Sequence, residues 1–215
     1  MGNRAVITTE DKQMGVYLHW NGGRDSVEAF LDYCDLQGFR SPDCDTYGWA
    51  RLCQVIGNFF GGGLSVGIGL YDQLDTDNGD NGVYIIKGWR IVGREFNRHA
   101  EQSSYDHADM LHDIDDSQPE HMRLGAYIDA VEVPRGELAE GDEVWVETVR
   151  EGFKPFRVCG FARLPWEREN GELHPFIEMC IVEEGREAVL LNPNNFIRTA
   201  TVRVTRRRCC LLYTS

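Results

Sequence analysis

The sequence has no apolar run that approaches the length of a membrane span, and it is poor in basic residues. It carries 22 Lys and Arg against 35 Asp and Glu, a formal charge of -13 over 215 residues. The first absence excludes a membrane-spanning helix, and the second excludes a nucleic-acid-binding protein that works through a basic face. The remaining class is an acidic globular protein of one large or two small domains, long enough to bury a core.

Signals of secretion and of metal or redox chemistry are also missing. The first residues, Met1–Ile7, show no basic region followed by a long apolar stretch and a cleavage site, so we expect a cytoplasmic location. Five cysteines stand singly, without a CxxC pair or a histidine at zinc-finger spacing. They predict reduced, mostly buried thiols and no metal or other cofactor. These cysteines are Cys34, Cys44, Cys53, Cys159 and Cys180.

The last residues have an unusual match to a known DNA sequence. Cys210–Ser215 is the peptide that the codons TGT CTC TTA TAC ACA TCT would encode, which resembles a transposase-based sequencing adaptor read in frame. A preceding codon ending in C also suits Cys209. We therefore expect residues 209–215 to be an adaptor artefact and the natural chain to continue past about Arg208.

Hydrophobic periodicity predicts two amphipathic helices near the start of the chain. Val27, Phe30, Leu31 and Cys34 follow the i, i+3, i+4, i+7 spacing of a helix, with Asp25 and Glu28 at capping-box spacing and Gly38 at its end. A second helix with the same spacing begins at Asp45 or Thr46 and stops at Gly61-Gly62-Gly63.

Alternating patterns predict a sheet under these helices. We expect residues 1–122 to form an acidic α+β domain in which the two helices pack on an antiparallel sheet. A short acidic helix with Ala108, Leu111 and Ile114 inward completes the domain at Tyr105–Asp115. The predicted strands are Arg4–Thr8, Gly15–Trp20, Leu64–Leu70, Gly82–Lys87 and Trp89–Phe96.

From about residue 123 the pattern changes to short strands separated by turns with Gly, Asn and Pro. Such a run is typical of a small β-barrel, SH3-like or OB-like, which we expect over residues 123–208. The predicted strands are Tyr127–Val133, Glu143–Val149, Phe156–Leu164, Phe176–Val182, Ala188–Leu191 and Ala200–Thr205.

One segment has the position of an anion site. Asn21, Gly22, Gly23, Arg24 and Ser26 lie between a predicted strand and a helix start, where backbone N–H groups and the helix dipole favour an anion. The segment lacks the spacing of a Walker loop or a dinucleotide fingerprint, and Asp25 places a carboxylate where a phosphate would lie. A plain glycine turn before the helix is the alternative.

Residues 75–82 resemble a calcium loop in composition but not in spacing. Counted from Asp75, the twelfth position is Ile86, where an EF-hand requires a bidentate acid. Asn-Gly occurs twice, at Asn78 and Asn81, which predicts a hairpin turn with exposed acids at its tip.

Other side chains give no catalytic pattern. His107, Asp109, His112, Asp113, Asp116 and His121 are dense, but His107 and His112 are five residues apart and do not share a helix face. A solvated acidic helix is the prediction for this segment. No Gly-x-Ser-x-Gly elbow or Cys–His–acid pairing is visible in the sequence.

Charge is concentrated in the first domain. Between Asp72 and Glu120 there are twelve acidic and four basic residues. Such a negative face often serves only to keep a protein soluble; if it has a binding role, it repels nucleic acid and steers basic protein surfaces toward it. The predicted contact surface consists of Asp75, Asp77, Asp80, Asp109, Asp113 and Asp116.

Several segments of the first 125 residues resemble proteins carried by phages and mobile elements of gut Firmicutes, some of which are similar to a type II-A anti-CRISPR. The resembling segments are Val16–Gly23, Tyr47–Arg51, Gly57–Gly61, Leu74–Asn78 and Gly82–Tyr84. The resemblance implies a non-enzymatic inhibitor of host defence that binds Cas9, whose channels are positively charged. Two alternatives stay open: a small-ligand or nucleotide-binding module using Asn21–Ser26, and an enzyme of unknown class.

Overall fold

A computed structural model describes residues 2–63, 65–134, 137–148, 152–167, 173–184, 187–190 and 201–205. The chain is mixed α+β and divides into two compact units, Met1–Ile128 and Asp129–Ser215. None of the helices in the described ranges is both long and apolar enough to cross a membrane.

The first unit is built on a five-stranded sheet. Its strand order is β3-β2-β1-β4-β5, and neighbouring strands are antiparallel except for the parallel pair β1 and β4. The predicted sheet is therefore confirmed in outline, with one parallel pair that we did not expect. The strands are β1 (Ala5–Thr9), β2 (Met14–Leu18), β3 (Val66–Leu70), β4 (Val83–Lys87) and β5 (Arg90–Glu95).

Two helices, α1 (Arg24–Leu36) and α2 (Thr46–Phe59), contribute to the same apolar core as the sheet. Asp45 caps α2 as predicted, because its carboxylate accepts hydrogen bonds from Tyr47 N and Gly48 N at 2.9 and 3.3 Å. Gly38, at φ +69°, follows the end of α1 as expected. The predicted cap of α1 is wrong: Gly23 occupies the N-cap position, and Asp25 lies inside the first turn.

The third helix, α3 (His107–Ser117), packs mainly against α1. Its buried stripe runs through Met110, Leu111 and Ile114, so Leu111 and Ile114 point inward as predicted. Ala108 does not, because it lies at the margin of this stripe and is exposed.

The Asn-Gly segment is not a hairpin, which corrects the sequence prediction. Tyr71–Gln73 forms a 3-10 turn instead of a strand, and the loop after it leads to β4, which pairs with β1 and β5 rather than with β3. The loop is held by long-range bonds: Asn81 N donates to Arg4 O at 3.0 Å. These bonds to the start of β1 replace the local pairing that a hairpin needs.

The second unit contains one sheet with the order β10-β9-β8-β7-β11-β6. A buried valine cluster supports it, formed by Val133, Val144, Val146, Val158 and Val204. Residues Gly125–Asp129 are a 3-10 turn, so the strand expected from Tyr127 begins only at Val131. The strands are β6 (Val131–Pro134), β7 (Glu143–Thr148), β8 (Gly152–Glu167), β9 (Leu173–Glu184), β10 (Glu187–Leu190) and β11 (Thr201–Thr205).

Within the described ranges, β10 and β6 are the two edges of this sheet, and no pairing closes it into a barrel. Of the cysteines expected to be mostly buried, Cys34 is buried and Cys53 is partly buried, whereas Cys44 and Cys159 are exposed. Cys180 and residues 209–215 lie outside the residues whose side chains are described.

Candidate functional site

The three predicted contact residues of α3 lie on one exposed helix face. Asp109, Asp113 and Asp116 are spaced i, i+4, i+7, and all three are exposed. The side chain of Asp116 is 83% exposed, and Arg123 Nη1 lies 4.0 Å from its Oδ1. We call these three carboxylates the α3 acidic row.

The helix that carries the row begins with a further carboxylate. Asp106 caps α3 and accepts hydrogen bonds from Ala108 N and Asp109 N at 2.9 and 3.2 Å. The cap fixes where the helix starts, and so which of its side chains face outward. The last turn of α3 contains no basic residue.

Asp115, next to the row, has a different environment. It is only 5% exposed, and its carboxylate accepts hydrogen bonds from Tyr33 Oη, Leu124 N and Gly125 N at 2.7, 2.7 and 2.9 Å. Burial and the bond to Asp115 raise the pKa of Tyr33 well above its ordinary value. Asp115 therefore anchors α3 to α1 and to the segment after α3, a role that we did not predict from sequence.

The loop of residues 75–82 presents only part of its predicted acidic surface. Asp75 and Asp77 are exposed, and Asp77 Oδ2 lies 3.4 Å from Arg98 Nη2. The side chain of Asp80 is 11% exposed and accepts a hydrogen bond from Arg4 Nε at 2.6 Å. Burial raises the pKa of Asp80, but the bonds and charge of Arg4 outweigh it and leave the pKa below its usual value.

Two asparagines hold this loop in place. Asn78 is buried, and its Oδ1 accepts hydrogen bonds from Asp80 N and Gly82 N, both at 3.1 Å. Asn81 Nδ2 donates to Asn3 Oδ1 at 2.7 Å. The hairpin prediction was wrong because the Asn-Gly pair suits a buried side-chain hydrogen bond as well as a tight turn. No described contact joins this loop to the α3 acidic row.

The predicted anion site is covered by protein. A Cβ on Gly22 would lie 2.6 Å from Ala5 N, and one on Gly23 would meet the Gln102 carbonyl oxygen, so both glycines allow close backbone approach. Arg24 Nε donates to Glu101 at 2.8 Å, and Arg24 Nη1 donates to Glu28 at 3.0 Å. Anion binding at Asn21–Ser26 stays a prediction, with the carboxylates of Asp25 and Glu101 at the same place.

Asp25 itself joins α1 to the segment before α3. Its carboxylate accepts hydrogen bonds from Ser104 N, Tyr105 N and Ser26 N at 2.6, 2.7 and 2.8 Å. Burial raises its pKa, but these hydrogen bonds together with that of Ser103 lower the pKa below its ordinary value of 3.8. The lowered pKa means that the folded state favours the ionised carboxylate.

This bonding predicts a pH effect on stability. The stabilisation from Asp25 is fully present above the unfolded pKa of about 3.8 and is lost as the pH falls through the lower folded pKa. In urea unfolding between pH 6 and 2, Asp25→Asn is expected to be less stable at pH 6 and to lose less stability on acidification than the wild type. Asp72→Asn, at an exposed carboxylate, is the control, and equal acid slopes for wild type and Asp25→Asn would contradict the prediction.

The histidines of residues 107–121 do not come together with the aspartates of α3 in a common site. His107 Nε2 lies 3.0 Å from Asp32 Oδ2, on α1 rather than on another α3 side chain. Among the residues that the structure describes, no three His, Cys, Asp or Glu side chains form a group that could hold a metal ion.

No protein-family model matches the chain, and neither a curated protein nor a solved structure matches it at a significant level.

Proposed function

We propose that the protein is a non-enzymatic inhibitor of bacterial host defence that binds a nucleic-acid-handling effector, with Cas9 as the first candidate, through the α3 acidic row. The observation that supports it is the row itself: three exposed carboxylates on one face of a helix that contains four Asp and no Lys or Arg. The row would occupy a basic channel of the effector in place of phosphate groups.

The geometry of the row suits this role. At a rise of 1.5 Å per residue, Asp109, Asp113 and Asp116 place three negative charges along about 10 Å of helix. The opposite side of α3 is fixed in the core by Met110, Leu111 and Ile114. A partner would therefore meet a charge array that needs little ordering on binding, which favours affinity.

Asp109 lies in the first turn of α3, where the helix dipole favours a carboxylate, but the rest of the row is unfavourable for the helix alone. Like charges at i, i+4 destabilise a helix by about 0.2–0.5 kcal/mol per pair, and carboxylates near a helix C-terminus oppose the dipole. Asp116 stands in the last turn without a basic residue in that turn. Residues that reduce the stability of their own helix are expected at functional sites, which supports a binding role for the row.

Asp75 and Asp77 form a second exposed acidic group, which we include as a secondary contact. We leave Asp80 out because its carboxylate is taken by Arg4 inside the fold. A charge reversal at Asp80 would disturb the fold of the loop and would not report on binding.

We place the protein in the bacterial cytoplasm, where such an effector acts, without nucleic acid or membrane as a direct partner. We also propose that the second sheet closes into a small SH3-like or OB-like barrel.

The test is inhibition of target-DNA cleavage by guide-loaded Cas9, combined with co-elution at low and moderate salt. Wild type is expected to inhibit and to co-elute less as salt rises. The triple variant Asp109→Asn, Asp113→Asn, Asp116→Asn is expected to bind about a hundredfold more weakly or worse, because it removes three charge pairs that are each worth about 1 kcal/mol or more when desolvated.

A matched control removes the same charge elsewhere. Glu10→Gln, Glu132→Gln and Glu140→Gln change three exposed carboxylates outside the row and are expected to leave inhibition unchanged. If both triple variants inhibit as well as wild type, the α3 acidic row is not the binding surface. If wild type neither inhibits nor co-elutes with several Cas9 orthologues, Cas9 is not the partner.

A further inference from the structure

Strand β3 is an edge of the first sheet, and only its inner side is paired, with β2. Two bonds that flank the pairing, Tyr71 N to Gln13 O and His19 N to Ser65 O, set the alternation of the ladder. In an antiparallel pair, only every second residue of a strand forms hydrogen bonds with the neighbouring strand. The backbone N–H and C=O groups of Gly67 and Gly69 therefore point toward β2. The backbone N–H and C=O groups of Val66, Ile68 and Leu70 then point away from the sheet.

The side chains along this edge are apolar and accessible. Ile68 and Leu70 are 54% and 55% exposed and lie on the same face of the strand. Fourteen consecutive residues, 58–71, contain no charge, in a chain of net charge -13. Two copies of this acidic protein can therefore approach along β3 without direct repulsion between side chains.

The opposite edge of the sheet is protected in the usual ways. Strand β5 carries Arg90, Arg94 and Glu95, and its pairing with β4 is interrupted by a bulge between Ile85 and Ile86. Charges and bulges are the devices by which edge strands avoid pairing with other chains. None of them is present in β3, whose residues are Val-Gly-Ile-Gly-Leu.

We propose that the protein forms a dimer by antiparallel pairing of β3 with β3 of a second copy. The sequence of β3, Val-Gly-Ile-Gly-Leu, has the same pattern of apolar residues and glycines in both directions from Ile68. A two-fold axis at Ile68 places Ile68 opposite Ile68 and Val66 opposite Leu70 of the other copy, with Gly67 opposite Gly69 on the other face. Every outward N–H and C=O of the three apolar residues then has a partner.

Such a dimer is closed. A two-fold interface uses the same patch on both copies, and β5, the remaining edge, resists addition of further chains. The occupant of the edge is therefore a second copy, and the first sheet of one copy continues into the first sheet of the other. The interface is short, so we expect a dimer that dissociates in the micromolar range.

The test is the mass of the full chain in solution, measured by sedimentation at rising micromolar concentration. Wild type is expected to approach twice its chain mass of 24.5 kDa. Ile68→Lys and Ile68→Glu are each expected to stay monomeric, because two like charges face each other at the axis. An equimolar mixture of the two variants is expected to regain the dimer, since Lys then faces Glu.

Val92→Lys, at an exposed apolar position of β5, is the control and is expected to dimerise like wild type with unchanged circular dichroism. A wild type that stays monomeric overturns the proposal, and so does a dimer that survives Ile68→Lys. A mixture that stays monomeric overturns the two-fold register, and growth into larger species overturns closure.

Discussion

Replacing Asp115 by alanine is expected to lower the free energy of unfolding by about 2–3 kcal/mol, because a buried donor left unpaired costs about 1–3 kcal/mol. The buried Tyr33 hydroxyl would lose its 2.7 Å acceptor and keep only Met122 O at 3.3 Å. The change removes the acceptor for Tyr33 Oη, Leu124 N and Gly125 N at once. The tyrosine hydroxyl is buried in the core between α1 and α3, so water does not readily replace the carboxylate. Urea unfolding followed by circular dichroism measures the loss.

Asp116→Ala is the matched control, one residue away on the same helix. Both changes have the same effect on helix propensity and on charge, but Asp116 is exposed. We expect Asp116→Ala to change stability by no more than about 0.5 kcal/mol. Equal losses for the two variants would show that Asp115 is not the anchor that the structure describes.

Gly82→Ala is expected to destabilise the protein by about 3 kcal/mol or more, through positive φ and a backbone clash together. Gly82 has φ +72°, and an added Cβ would meet Glu95 O and would lie 2.6 Å from Phe96 O. Both atoms belong to backbone at the end of β5 and cannot rotate away. The start of β4, which is paired with β1 and β5, would have to shift.

Gly79→Ala separates the two contributions. Gly79 has a similar φ of +74°, but the nearest atom to an added Cβ is Arg4 Nη2 at 3.8 Å. We expect a loss of about 1–2 kcal/mol from the positive φ alone. Thermal or urea unfolding of the two variants gives the comparison, and a Gly79→Ala variant as unstable as Gly82→Ala would contradict the predicted clash.

Local signals predicted the elements of the first unit well. The apolar spacing of α1 and α2 and the Asp45 cap are properties of neighbouring residues, so the sequence contains them in full. The parallel pairing of β1 with β4 is not local. The Asn-Gly loop could close a hairpin or cross to another strand, and the outcome depends on bonds of Asn78 and Asn81 with backbone near β1 and β4.

In the candidate site, too, the sequence predicts what depends on neighbouring residues and not what depends on distant ones. Helical spacing alone placed Asp109 and Asp113 on one face, and Asp116 continues that face one turn later. Nothing local distinguishes Asp115 from Asp116, because the partner that buries Asp115 is Tyr33, 82 positions away. The same holds for Asp80, whose partner Arg4 is 76 positions away, so its loss from the exposed surface could not be predicted.

The most direct test of the proposed function is the affinity of guide-loaded Cas9 for this protein, measured with and without target DNA already bound. If the α3 acidic row occupies a basic nucleic-acid channel, the free complex binds wild type, bound DNA prevents that binding, and Asp109→Asn, Asp113→Asn, Asp116→Asn weakens it. Equal affinity for the free and the DNA-bound complex, or an unchanged affinity of the triple variant, would contradict the account.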